Sequence, residues 1–213
     1  GLGEAAIVQI LDNRPFENAE DLLFKEGVTY SKLNKKALDV LCRSGALDDI
    51  VDDSFTGMKH FWMSCIQNRP KNKKKMQENI QEWFEEGEFS REEKIENISN
   101  LTGIFPFDLV LSRDVRSAIQ RYQVPALGDW DPELQAAWFI PREKIAKKTK
   151  NGKPYWILKV IDNTSTVNTI RVWGVDPNRD LLHLNRPYGA KLQHSEDWGF
   201  SLRLNKSALI LLG

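Results

Sequence analysis

The chain has 213 residues, 41% of them apolar and 28% charged, a globular composition with material for two modest domains, which excludes a disordered chain. Its apolar runs fall far short of the roughly 20 residues that cross a bilayer, and no basic-then-apolar signal segment opens it, so a soluble, intracellular protein with no membrane partner is expected. Thirty basic and thirty acidic residues cancel, yet residues 136–213 hold thirteen Lys and Arg against six Asp and Glu, leaving +7 there and −7 in residues 1–135, the footprint of a phosphate-backbone binder in the C-terminal part.

Gly1-Leu2-Gly3 is a tight-turn signal that joins two elements, so a preceding element is expected. Ile7, Ile10 and Leu11 then repeat at helical spacing until Asn13-Arg14-Pro15, where proline stops a simple continuation. Asn18 predicts the N-cap of a second helix ahead of Asp21-Leu22-Leu23. A third helix is predicted from about Lys32 through Leu33, Ala37, Leu38, Val40 and Leu41, ending at Ser44-Gly45. From Phe55 to Asp131 the pattern stays helical, with Met58, Phe61 and Cys65 on one face, then Ile80, Trp83 and Phe84, then Ile95, Ile98 and Leu101. A polar, basic linker, Asn68-Arg69-Pro70-Lys71-Asn72-Lys73-Lys74-Lys75, interrupts it. Cys42 and Cys65 lack CxxC spacing and read as buried thiols, with neither a disulfide framework nor a zinc site indicated.

From Trp138 the period changes to two, with β-branched and aromatic enrichment and turn signals at Asn151-Gly152, Asp162-Asn163 and Asp176-Pro177-Asn178. Five strands are predicted, near residues 138–149, 154–162, 167–174, 187–194 and 197–204. The expected fold class is therefore α+β and multidomain: a helical region over 1–52, a helical linker region over 53–135, and an all-β module over 136–213.

Gly1-Leu2-Gly3-Glu4-Ala5-Ala6 has the form of the hairpin in a helix-hairpin-helix motif. Two glycines let the backbone approach a phosphate, and the following helix offers free N–H groups at its positive end. Any helix-opening turn can share this form, so the surroundings decide. They comprise Pro15-Phe16-Glu17-Asn18-Ala19-Glu20-Asp21-Leu22, then Leu33-Asn34-Lys35-Lys36-Ala37-Leu38-Asp39-Val40-Leu41-Cys42-Arg43-Ser44-Gly45-Ala46-Leu47-Asp48. This ordered set resembles the tandem helix-hairpin-helix region that follows the fingers in the C-family replicative DNA polymerase, the bacterial DNA polymerase III alpha subunit. Further on, Lys147-Lys148-Thr149-Lys150-Asn151-Gly152-Lys153-Pro154 followed by Leu158-Lys159-Val160-Ile161-Asp162 resembles that family's hairpin in an oligonucleotide/oligosaccharide-binding (OB) fold.

The resemblance implies a tandem helix-hairpin-helix region followed by a five-stranded OB-fold β-barrel, in a compact or phage-encoded version of the polymerase. It implies double-stranded and single-stranded DNA as ligands, the sliding clamp or other replisome subunits as further partners, and a bacterial or phage-infected cytoplasm. The paired aspartates that bind two metals in this family belong to a palm upstream of Gly1, so Mg2+ is expected only in the parent polymerase and no cofactor in this chain. Backbone contact with duplex falls to Gly1, Leu2, Gly3 and Glu4. Lys32, Lys35 and Lys36 are added because lysine at a helix start is disfavoured by the macrodipole unless a phosphate offsets it.

The β hairpin carries its own signal. Trp156, Leu158 and Val160 alternate with Tyr155, Ile157, Lys159 and Ile161, and Ile170 and Val172 alternate with Thr169, Arg171 and Trp173. One face is aliphatic enough to fill a small barrel. The other combines Tyr155, Trp173, Lys159 and Arg171, aromatic platforms with cations that suit stacking on bases and neutralising phosphates. Tyr155 and Trp173 read equally as caps on the barrel core. Lys147, Lys148, Lys150 and Lys153 of the first loop are the companion phosphate contacts, whereas the lysines at 71–75 read as a solvated linker.

No catalytic constellation is visible. Asp48-Asp49 and Asp52-Asp53 form a polar turn, and His60, His183 and His194 have no ligand spacing, so these residues read as structural or solvated. This argues against an independent nuclease. A second class remains, a replisome protein-interaction module without direct DNA binding, in which Trp83, Phe84 and Trp198 are exposed anchors. Gln81-Glu82-Trp83-Phe84 sits where the polymerase family carries a clamp-binding peptide but departs from its pattern, and reads instead as an amphipathic helix burying Trp83 and Phe84.

Overall fold

A computed structural model describes residues 2–164, 166–176, 182–204 and 208–212. The chain forms two compact units, Gly1–Pro106 and Phe107–Gly213. The first is helical and the second is built mainly on a sheet, an α+β architecture. The predicted helical stretch 53–135 is thus divided between the two units.

In the first unit, α1 (Glu4–Asn13) buries Ala6 and Gln9 while Ile7, Val8 and Leu11 stay exposed. The apolar spacing marks a helix here but not its inner face, because the helix is seated by a polar anchor. The Gln9 side-chain amide donates to the Gly27 carbonyl at 2.9 Å, and its oxygen accepts from the Thr29 N–H at 3.1 Å and hydroxyl at 2.8 Å. α2 (Ala19–Phe24) starts at the predicted cap, with the Asn18 side chain accepting the Asp21 N–H. α3 (Lys35–Arg43) begins later than the sequence predicts, because Asn34 caps it by accepting the Ala37 N–H at 3.0 Å.

α4 (Met58–Phe61) runs directly into a π-helix (Trp62–Gln67), followed by α5 (Lys73–Glu82) and α6 (Arg91–Thr102). A π-helix widens the turn and leaves carbonyls poorly matched. Asn79 of α5 collects two of them, donating to Ser64 at 2.9 Å and Asn68 at 2.5 Å. Asp39 of α3 accepts the Trp62 indole N–H at 2.8 Å and the Gln67 amide at 3.3 Å on one oxygen, and pairs with Arg43 at 2.8 Å on the other. Leu22, Leu33, Leu38, Phe61 and Ile66 form the fully buried centre of this unit.

The second unit contains α7 (Phe107–Val110), α8 (Arg113–Tyr122) and the strands β1 (Ala136–Lys148), β2 (Pro154–Ile161), β3 (Val167–Trp173), β4 (Tyr188–Lys191), β5 (Gln193–Ser195), β6 (Gly199–Arg203) and β7 (Ile210–Leu211). They form one curled mixed sheet in the order β5-β6-β3-β2-β1-β4-β7, with β3 and β6 parallel. The described residues therefore hold seven strands where five are predicted. The strand expected at 187–194 is broken at Leu192, whose N–H turns to the Gln135 carbonyl at 2.6 Å, and the two-residue β7 is too short for periodicity to register. Part of the predicted turn at 176–178 lies outside the described residues.

The curl comes from β1, which pairs with β4 through Ala136–Phe139 and with β2 from Ile140 onward. Register shifts between Pro141 and Glu143. Proline has no N–H for a ladder, and a bulge bends the strand that carries it. Because only Leu192 separates β4 from β5, the pairing path β1-β2-β3-β6-β5 leads back through β4 to β1. The concave face holds Phe139, Leu158, Val160, Ile170, Val172 and Leu192, which is the alternation predicted for the central hairpin. No helix among the described residues is long and apolar enough to cross a membrane.

Candidate nucleic-acid interface

Across β2 and β3, Tyr155 pairs with Trp173, Ile157 with Arg171 and Lys159 with Thr169. Directly opposed residues share a face, so these side chains stand opposite the buried set that begins at Trp156. β1 places Lys147 beside Tyr155, and β6 places Arg203 beside Trp173. One row over four strands therefore reads Lys147, Tyr155, Trp173, Arg203: a cation, two aromatics and a second cation.

The two aromatics are not independent platforms. The Tyr155 and Trp173 rings stack on each other with centroids 4.7 Å apart and planes 25° apart, so each covers one face of its partner. Lys159 pairs with Glu143 at 2.6 Å, which compensates its charge. Arg171 donates to the Trp198 carbonyl and lies 5.4 Å from that indole ring. Of the four groups predicted on this face, three engage each other or Trp198 and the fourth is ion-paired.

The β1–β2 loop behaves differently. Thr149 fixes it: its N–H donates to the Lys153 carbonyl at 2.9 Å, its carbonyl accepts the Gly152 N–H at 2.9 Å, and its hydroxyl accepts the Lys153 N–H at 3.1 Å. Gly152 closes the turn at φ +75°. Lys147, Lys148, Lys150 and Lys153 are all exposed and none has an acidic partner among the described residues. Four like charges within seven positions repel one another, and an anionic ligand relieves that repulsion.

Three depressions adjoin through shared lining residues, running from the β5–β6 edge around the β1–β2 end of the sheet to the face of Trp156. The first, about 660 Å³, lies among Trp130, Trp173, His194, Trp198 and Arg203. A second of about 480 Å³ shares Trp173 and Arg203 with it and extends to Thr149 and Lys153. A third of about 510 Å³ shares Pro154 and Val175 with the second and reaches Lys147, Lys148 and Tyr155. Lys144 borders this last depression and stands 5.0 Å from the Trp156 ring. The result is a track with an aromatic end and a cationic end.

Trp130, His194 and Arg203 escape sequence reasoning because their neighbours are set by long-range pairing. Trp130 lies 5.9 Å from His194 and 5.4 Å from Phe200. It follows the short 3-10 turn Leu127–Asp129, which the buried Asp162 carboxylate holds by accepting the Gly128 N–H at 2.7 Å. The only local hint is that a tryptophan sits among turn-forming residues, where apolar bulk has no helix or strand to serve.

In the helical unit, residues 30–36 and 67–71 come together. The Arg69 guanidinium donates to the Leu33 carbonyl at 2.5 Å and lies 4.3 Å from the Tyr30 ring, and burial pushes its pKa below the ordinary value. Lys35 donates to the Gln67 carbonyl at 3.0 Å, so it is engaged within the chain. Lys32 precedes α3 and does not sit at a helix start, while Lys32, Lys36 and Lys71 are exposed. The expected linker at 68–75 is in part helix: Asn72 caps α5, Lys73 pairs with Glu20, and Lys75 pairs with Glu78. Leu2 packs against the helical core, Gly3 is the N-cap of α1, Glu4 is exposed in its first turn, and Gly1 lies outside the described residues.

The remaining polar groups are structural. His60 is fully buried, its Nδ1 accepting the Thr56 N–H at 3.0 Å and its Nε2 N–H donating to the Ile80 carbonyl at 2.8 Å. Asp48 and Asp52 border a cavity of about 320 Å³ in the helical unit, and burial pushes the Asp48 carboxyl above its ordinary range. No group of three His, Cys, Asp or Glu side chains suited to a metal ion occurs among the described residues. Trp83 ends α5 half-buried, but Phe84 is 52% exposed and not buried as the sequence predicts. No family model matches the chain, and no curated protein matches it.

Proposed function

We propose that this chain is the DNA-binding C-terminal portion of a C-family replicative DNA polymerase, in which the sheet unit is an OB-fold that holds single-stranded template. The observation that carries this reading is the track from the Trp198 groove to the exposed lysines of the β1–β2 loop. OB-folds bind oligonucleotides over the face of strands 2 and 3 and through the loops joining strands 1–2 and 4–5. Here the β1–β2 loop carries Lys148, Lys150 and Lys153 around its tip, and the β5–β6 turn carries Trp198. The return of the pairing path to β1 through β5 and β4 is consistent with such a barrel whose fourth strand is interrupted at Leu192.

The helical unit grips duplex in this reading. Gly3 has ordinary backbone angles, and a Cβ there meets nothing within 4 Å, so packing inside the chain does not call for glycine. The open space leaves room for a phosphate to approach the first N–H groups of α1. Lys32, Lys36 and Lys71 are exposed cations of the same unit. The polymerase assignment itself rests on the ordered motifs at 1–6, 15–22 and 33–48.

Fluorescence anisotropy with labelled oligonucleotides tests this. At low salt the chain binds both a single-stranded and a duplex oligonucleotide, and replacing Lys147, Lys148, Lys150 and Lys153 together with Ala weakens the single strand selectively. An absence of DNA affinity at low salt overturns the proposal. Unchanged single-strand affinity in the lysine variant favours a protein-docking role, for which the exposed Ile7, Val8 and Leu11 of α1 are the specific structural reason.

A further inference from the structure

Trp198 differs from the other aromatics along the track. Tyr155 and Trp173 are half-buried and stack on each other, whereas Trp198 is 63% exposed at the turn between β5 and β6. Its backbone is nevertheless anchored, the main-chain N–H donating to the Ser195 hydroxyl at 3.2 Å and the main-chain carbonyl accepting from Arg171. The Arg171 guanidinium lies over one face of the ring itself at 5.4 Å. Gly199 completes the turn at φ +67°, a backbone region closed to most side chains. An indole that is mostly in water and meets a guanidinium on one face leaves its other face open, and ordering the ring there costs side-chain entropy with little burial in return. A ligand that stacks on the ring supplies the missing gain.

We infer that the groove bounded by Trp130, Trp173, His194 and Trp198 receives an unpaired nucleobase, which stacks on the Trp198 ring face opposite Arg171. This deepens the single-strand reading above and rests on it. The charge at the turn favours a base over a phosphate, because the exposed Glu196 and Asp197 immediately precede Trp198 and repel anions. Phosphates are drawn instead to Arg203, which this groove shares with the next depression, and to the lysine loop at the other end of the track. Duplex is refused, since its bases present no open π-face except at the ends. Stacking of this kind has no requirement for one base over another, so the subsite is tolerant of sequence.

The test uses the full chain and two labelled oligomers of equal length and charge, oligo(dT) and an abasic deoxyribose-phosphate chain. Trp198→Ala weakens oligo(dT) binding about tenfold and leaves the abasic oligomer unchanged, and Trp198→Phe recovers most of the loss because a ring is restored. Circular dichroism of both variants verifies that the fold is kept, as expected for an exposed side chain. Equal effects on the two oligomers, or none on oligo(dT), overturn the base-stacking site while leaving the single-strand reading intact. A wild-type chain that binds neither oligomer overturns that reading itself.

Discussion

The wholly buried carboxylate of Asp162 accepts the backbone N–H of Gly128 at 2.7 Å and so ties the turn before β1 to the connection between β2 and β3. Its other oxygen accepts the Thr164 N–H at 2.8 Å and the Thr164 hydroxyl. A side chain at position 128 has no room: a Cβ runs into the Thr164 hydroxyl and comes within 3.1 Å of that of Thr166. Asp162→Ala removes the acceptor shared by these donors and is predicted to cost about 1–3 kcal/mol in urea unfolding. Gly128→Ala is predicted to cost about 1–3 kcal/mol through overpacking. Because Trp130 follows this turn, both variants also weaken oligo(dT) binding, and an Asp162→Ala cost below about 0.5 kcal/mol would count against the buried anchor.

The salt dependence of single-strand binding reports how many cations meet phosphate. Each neutralised phosphate contributes about 0.7 to the slope of log K against log salt for a single strand. Replacing Lys147, Lys148, Lys150 and Lys153 with Ala is predicted to lower that slope by up to about 3. Lys159→Ala leaves it unchanged, because the ammonium is already paired with Glu143. A slope that drops for Lys159→Ala and not for the loop variant reverses the assignment.

Asp39 is the polar junction of the helical unit, serving Trp62, Gln67 and Arg43 at once. Asp39→Ala is predicted to destabilise the unit by about 2–3 kcal/mol, since hydrogen bonds to a charged group are stronger than neutral ones. Trp62→Phe removes one donor and keeps most of the packing, at a cost of about 1 kcal/mol. A double-mutant cycle between the two positions reads out their coupling, and additive costs would show that the indole bond contributes nothing.

Both thiols are silenced by burial. Burial pushes Cys65 up to about 12 and pushes Cys42 up further, with Asp39 and Asp48 adding to the rise at Cys42. In the folded state each thiol keeps its proton where the unfolded chain, with an ordinary value of 9.0, has lost it. A raised folded value gives a contribution that is complete below the unfolded pKa, so stability falls as pH rises above about 9. A thiol reagent at pH 8 is predicted to label neither cysteine in the native protein and both in urea. Rapid native labelling of either one would refute the burial.

Local chemistry made several elements readable. Asn18 ahead of Asp21 and Gly45 after Arg43 mark helix ends because capping is decided within four residues. The alternation in β2 and β3 sorts Leu158 and Ile170 from Lys159 and Arg171 because a strand has a strict period of two. The inner face of α1 was not readable, since apolar spacing points to Ile7 and Leu11 while the real anchor is the amide of Gln9 reaching Gly27 and Thr29. Nothing near Gln9 in sequence announces a partner about twenty residues away.

For the candidate interface the division is similar. The amino-acid order alone settles that the C-terminal part is basic, that lysines crowd the Thr149–Lys153 turn, and that aromatics and cations share one face of a hairpin. Only the folded chain decides which of those groups are available. Cross-strand pairing stacks Tyr155 on Trp173, neutralises Lys159 with Glu143 and turns Arg171 toward Trp198, leaving Trp198 and the loop lysines facing solvent. The physical reason is range: composition, caps and periodicity act over a few residues, whereas whether a charge or ring is free depends on neighbours that β-pairing brings from tens of residues away.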